Sequence, residues 1–208
     1  MKKLIRCIKN YFFCKKYPFW KITDNWYNYN TSTSDKRKGS KNFFVVYNYT
    51  WYDDIPTGWQ KAFGKQLCRD IKKAGELTRK RLHKHAKWED MIEFQQIKEK
   101  WGELCLYASA SDEIQNVLEK YELLSSCYCI NCGKPARYRT HGWIEFYCED
   151  CFVSHEALYL NQDQVQEELK TCRLTEEDIP VLTVYDGEER EVDLKKEFNI
   201  DFKKMWDL

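Results

Sequence analysis

The sequence predicts an α+β fold: mixed helices and short antiparallel strands, with a four-cysteine zinc ribbon or treble-clef knuckle in its second half. Three observations carry this. Cys129 with Cys132 and Cys148 with Cys151 form two Cys-x-x-Cys pairs fifteen residues apart, within the ~15–20 spacing of a four-thiolate zinc site. Trp59, Phe63, Leu67 and Ile71 recur every four residues, and Ile114, Val117, Leu118, Tyr121 and Leu124 follow a helical period. Residues 94–100 and 104–108 read as two strands turning at Trp101-Gly102, and a second hairpin turns at Asp186-Gly187.

Taken in order, residues 3–14 place Leu4, Ile5, Ile8, Tyr11 and Phe12 at helical spacing with lysines opposite. That helix either docks on the core or lies on a membrane or nucleic-acid surface. Cys7 and Cys14 fit as small buried apolar residues, and Pro18 ends the segment. Residues 24–42 are rich in Asn, Ser and Thr and read as a linker exposing Lys36, Arg37 and Lys38. Residues 43–51 are aromatic and β-branched and read as a strand. Thr57 or Asp54 can cap the helix that starts near Gly58. Residues 79–87, RKRLHKHAK, read as a solvated helical face or a phosphate contact; His83 and His85 face different ways on a helix.

On a strand, Lys98 and Lys100 share one face as a cationic strip, although Phe94, Ile97 and Trp101 also fit a helical period. Ser111 is placed to cap the helix over 111–125, with Asp112 and Glu113 at its positive end. Residues 137–140 and 143–147 read as the ribbon's short strands about His141-Gly142, and Gly133 suits a knuckle needing positive φ. Residues 152–161 continue as helix. Thr175 with Asp178 loosely matches a capping box in the acidic stretch 162–178. FNIDFKKMWDL has enough apolar residues to dock. The expected organisation is a basic segment and linker (1–42), an α+β core (43–126), a zinc ribbon (127–160) and an acidic extension (161–208).

The 208 residues carry a net charge of +1, but residues 1–42 hold eleven Lys/Arg against Asp24 and Asp35. This basic arm faces either an anionic partner or the protein's own acidic end. Aromatics reach 16%; part is core, and the excess can stack on bases. No apolar run reaches the ~18 residues of a membrane span. Scattered cysteines and the lack of a cleavage-site pattern favour a reducing compartment and a structural Zn²⁺ on Cys129, Cys132, Cys148 and Cys151. Cys127, His141 and His155 are alternative ligands. The nucleotide-loop, hydrolase, zinc-protease, kinase and deaminase signatures are absent, which points away from an enzyme.

The stretches YTWYDDIPTGWQKAFGKQLC (49–68), QIKEKWGELCLYAS (96–109), EKYELLSSCYCINCGKPA (119–136), GWIEFYCEDC (142–151) and VDLKKEFNIDFKKMW (192–206) occur in one order. This order resembles a family of small bacteriophage and prophage proteins with an IKEKxGxLxxY hairpin before a CxxC…GWxxxYCxxC ribbon. Leu104-Cys105 stands where that family commonly reads Leu-Arg. The resemblance implies a phage origin, action in the host cytoplasm, and a host-takeover or counter-defence role. The expected function is non-enzymatic binding of a phosphate-bearing ligand, a nucleotide immune signal or a nucleic acid. Lys98, Lys100, Arg137, Arg139 and Trp143 are the candidate contacts. The alternatives are an adaptor that blocks a host protein, and a metal-dependent nuclease.

Overall fold

A computed structural model describes residues 1–22, 27–28, 33–34, 41–82, 85–185 and 189–208. In chain order the elements are α1 (Lys2–Lys16), β1 (Tyr27–Asn28), β2 (Thr33–Ser34), α2 (Phe43–Val46), α3 (Thr57–Trp59), a π-helical turn (Gln60–Gly64) and α4 (Lys65–Leu82). Then come β3 (Ile92–Lys100), β4 (Glu103–Ala110), α5 (Asp112–Ser125), β5 (Tyr138–Arg139), β6 (Phe146–Tyr147), α6 (Glu149–Glu156) and α7 (Gln162–Thr171). β7 (Thr183–Tyr185), β8 (Glu189–Glu191), α8 (Leu194–Phe198) and α9 (Phe202–Trp206) complete the chain. Among the described residues the strands pair only in twos, so the fold is the expected α+β mixture. His83, Lys36, Arg37, Lys38 and the Asp186-Gly187 turn lie outside the described residues.

The chain forms two compact units. The first comprises Met1–Ile55, Gln66–Lys98 and Cys105–Leu118. Its centre is aromatic: the fully buried Trp20 stacks on Phe94 at 4.9 Å and donates its indole N–H to Cys68 Sγ at 3.1 Å. Phe19 packs against Trp88 at 4.9 Å. Gly75 lets α4 approach that same Trp88, since a β-carbon there would lie 2.3 Å from the ring. Thr78 Oγ1 pairs with the Ser111 hydroxyl at 2.7 Å and donates to Glu113 at 2.9 Å. Arg81 grips Glu113 through Nε and Nη2 at 2.8 and 3.0 Å. Helix α1 docks here through Cys7 and Cys14, both buried, and through Asn10, whose amide donates to the Tyr47 carbonyl. Of the stripe that periodicity marks, Tyr11 packs inward on Phe43 and Tyr47 at 5.8 and 5.2 Å, but the rest of it is not the docked edge. Leu4, Ile5, Ile8 and Phe12 face outward, because two small thiols let the opposite edge come closer to the core.

Residues 43–51 do not form the expected strand. The Asn42 side chain accepts from Phe44 N at 3.0 Å and starts α2. Asp53 then accepts from both the backbone N and the hydroxyl of Thr50, closing a 3₁₀ turn over Trp51–Asp54. Such local side-chain to backbone bonds outweigh β propensity. Neither Thr57 nor Asp54 caps the next helix; Pro56 holds that position, and Asp54 accepts from the Tyr49 hydroxyl instead. Part of the expected linker pairs as β1 with β2.

The second unit comprises Pro56–Lys65, Glu99–Leu104 and Glu119–Leu208. Here Cys127, Ala136, Phe146, Leu174, Leu194, Ile200, Phe202 and Trp206 form an apolar cluster. The tail docks as expected: Trp206 stacks on Phe146 at 6.3 Å. The Thr175–Asp178 box forms, with Asp178 accepting from Thr175 N and Oγ1 at 2.9 and 3.0 Å. β7 and β8 pair antiparallel.

The strict four-residue stripe has a structural explanation. On a regular α-helix it drifts about 40° per stride. The π turn over Gln60–Gly64 widens one turn, and Trp59, Phe63, Leu67 and Ile71 all end up buried.

Candidate functional site

The four ribbon cysteines converge. Each Cys-x-x-Cys pair folds back by a local device: Gly133 N donates to the Cys129 carbonyl at 2.9 Å with φ +81°, and Cys148 stands at the N-cap of α6, which carries Cys151. β5 pairs with β6, Tyr138 opposite Tyr147, closing the loop between the pairs. At its tip, Thr140 Oγ1 donates to the Trp143 carbonyl at 2.6 Å and accepts from Glu145 N at 2.9 Å, with Gly142 at φ +72°.

Cys132 Sγ lies 3.5 Å from Cys148 Sγ, and all four sulfurs lie within 4.8 Å of one another. A tetrahedron with Zn–S bonds of ~2.3 Å has edges of about 3.8 Å, whereas a disulfide holds its sulfurs ~2.05 Å apart. None of the ten cysteines is in a disulfide. The quartet can hold a metal ion, with Cys129 and Cys148 buried and the other two half-buried. The N-terminus of α3 is pinned to the knuckle: Gly58 N donates to the Ile130 carbonyl at 2.8 Å, and Trp59 Nε1 donates to the Tyr128 carbonyl at 3.1 Å.

The other candidate ligands have different places. Cys127 belongs to the apolar cluster. The His155 ring stacks on Tyr147 at 5.2 Å, and its Nδ1 lies 3.0 Å from Glu156 Oε1. His141 groups with Glu168 and Cys172, where Glu168 accepts from the Cys172 thiol at 2.9 Å and sits 3.7 Å from His141 Nε2. Away from the quartet, burial pushes the Cys14 and Cys68 thiols up to about 12, which keeps both protonated and unreactive.

Arg137 and Arg139 already hold internal partners. Arg137 donates to the Met205 carbonyl at 2.6 Å and lies 3.9 Å from Asp207. Arg139 lies 3.1 Å from Asp178. Lys98 is half-buried, its ammonium over the Tyr107 ring, whereas Lys100 is exposed.

Trp143 is 66% exposed, and it is not alone. Trp101, 56% exposed, lies beside it with ring centroids 6.0 Å apart. Trp101 occupies the hairpin turn at φ +56°, followed by Gly102 at +79°. Both residues thus have the positive φ of a type I′ turn, where Asn or Gly is usual and a bulky residue is strained. Gly102 lets the turn rest on the ribbon, since a β-carbon there would lie 2.7 Å from the Phe146 ring, and within the hairpin Gly102 N donates to the Glu99 side chain at 2.7 Å. Trp143 also lines an open cleft of about 430 Å³ with His141, Glu145, His155, Glu156 and Tyr159. Sequence reading passed over Trp101 as a turn residue. The usable signal was the unsuited side chain before Gly102.

Compared with models of known protein families, with curated proteins and with solved structures, the chain matches none.

Proposed function

We propose that this protein is a non-enzymatic binding protein in which a structural Zn²⁺ on Cys129, Cys132, Cys148 and Cys151 stiffens a ribbon that presents Trp101 and Trp143 to a phosphate-bearing aromatic ligand, a nucleotide or single-stranded nucleic acid. The observation that carries this is the exposed Trp101–Trp143 pair, one member of which sits in a conformation that disfavours bulky side chains. Unfavourable backbone geometry and exposed indoles both oppose stability, and both serve stacking. Lys100, next to Trp101 and exposed, supplies positive charge for a phosphate. The setting of a phage factor acting on host defences rests on the motif resemblance alone.

Titration of labelled single-stranded oligonucleotides, with nucleotides as competitors, tests the reading. Stacking contributes roughly 1–3 kcal/mol per base, so Trp101→Ala and Trp143→Ala should each weaken binding by about fivefold to a hundredfold. Lys100→Ala should flatten the salt dependence by about one charge. Absence of binding to any oligonucleotide or nucleotide by folded, metal-loaded protein would overturn the proposal.

A further inference from the structure

Helix α1 turns its apolar face to solvent. Its inward edge is Cys7, Asn10 and Cys14. Away from it, Phe12, Ile5, Leu4 and Ile8 are 65%, 49%, 44% and 41% exposed, with Phe12 and Ile5 on the opposite side and Leu4 toward the flank beside Cys7. Phe44 of α2, 43% exposed, extends the patch through Phe43, whose ring meets both Phe44 and Tyr11. An outward helical face ordinarily carries the polar residues.

The charge around this face has one sign. Lys2–Lys16 contains Lys2, Lys3, Arg6, Lys9, Lys15 and Lys16 and no Asp or Glu. Arg6 is turned toward Asp53 at 3.8 Å, while Lys2, Lys3 and Lys9 are exposed. On a helical projection Lys9 and Lys16 border one side of the apolar arc and Lys15 lies within it, its ammonium 5.5 Å from the Tyr11 ring centroid; such stems can run along an apolar face while their ammonium groups reach outward.

We propose that α1 docks flat on an anionic lipid bilayer, with Leu4, Ile5, Ile8 and Phe12 entering the headgroup–acyl boundary and the bordering lysines meeting lipid phosphates. A 15-residue helix is about 22 Å long, too short for a ~30 Å hydrocarbon core. No helix among the described residues is long and apolar enough to cross a membrane. The helix therefore lies in the plane of the surface. Four apolar side chains offer nothing to a nucleic-acid backbone but match the acyl boundary, and apolar insertion with basic flanks is the combination that binds anionic lipid surfaces. This surface shares no residue with the tryptophan pair.

The test is co-sedimentation of the full-length protein with vesicles of phosphatidylcholine, alone or mixed with phosphatidylserine. The expected result is retention on the mixed vesicles that falls with added salt. Phe12→Glu and Ile8→Glu, both at exposed positions, should cut it by about tenfold or more while leaving the melting temperature unchanged. Phe12→Ser removes the ring without adding a charge and serves if Phe12→Glu melts early. Lys2→Gln with Lys9→Gln should weaken retention on mixed vesicles. Failure to bind mixed vesicles, or equal binding to neutral ones, would overturn the proposal. So would a dimer in solution that Phe12→Glu disperses, since the face would then belong to a second copy. Retention unchanged by Phe12→Glu and competed away by an oligonucleotide would overturn it in favour of a nucleic-acid contact.

Discussion

Gly58 and Gly133 meet where the start of α3 rests on the cysteine knuckle. A β-carbon on Gly58 would lie 2.2 Å from the Cys129 carbonyl, and one on Gly133 would lie 2.5 Å from the Gly58 carbonyl. Those atoms are backbone and cannot swing aside. Gly58→Ala should therefore cost about 1–3 kcal/mol, the range of an overpacked core, seen as a lower denaturation midpoint, with metal lost at lower chelator concentrations. Gly133→Ala adds the strain of an alanine at φ +81°, about 1–2 kcal/mol. Trp101 is the converse case. Trp101→Asn suits the left-handed turn and should raise stability by up to about 1 kcal/mol while weakening oligonucleotide binding. Gain in one measurement with loss in the other would separate a recognition residue from a structural one. A destabilised Trp101→Asn variant would show that the indole serves packing.

Among the elements, the join of α4 to the start of α5 carries a pH signature. The Arg81 side chain, bonding directly to Glu113, together with backbone and Thr78 bonds, holds the Glu113 carboxyl down at about 2, against an ordinary value of 4.5. A depressed folded pKa contributes stability above the unfolded value, and that contribution disappears as pH falls from about 4.5 to about 2. Glu113→Gln should therefore be less stable than the parent at neutral pH, and the difference should shrink across that acid window. Equal pH profiles in urea melts would remove Glu113 from the account. Arg81 is exposed and Glu113 half-buried, so the effect should also weaken with salt.

At the scale of the whole molecule, each compact unit has its own kind of core. One is centred on Trp20 and Phe94; the other combines the apolar cluster around Phe146 and Trp206 with four sulfurs. Chelation should act through the sulfurs. Stripping the metal should speed amide exchange over residues 127–160, and Cys129→Ser should do the same without chelator. Native mass spectrometry should find a bound zinc mass on the parent and none on the variant. Fast exchange spread evenly from Trp20 to Trp206 would mean that the metal stabilises far more than the ribbon.

Much of this was legible locally. The cysteine spacing, the Trp101-Gly102 turn, the stripe from Trp59 to Ile71 and the α5 pattern follow from bonds and periods spanning a few residues. Residues 43–51 misled because β propensity says nothing of the Asn42 and Asp53 side chains that bend the backbone. Other features belong to tertiary structure because they depend on what covers each side chain. Arg137 and Arg139 look like phosphate ligands until Met205, Asp207 and Asp178 come beside them. Trp101 and Trp143, forty-two positions apart in the chain, become a pair only when Gly102 seats the hairpin on Phe146. Sequence by itself determined that α1 is amphipathic and basic. Only the folded chain decided that its small cysteines face the core while Leu4, Ile5, Ile8 and Phe12 face out, because burial follows the closest approach of backbones.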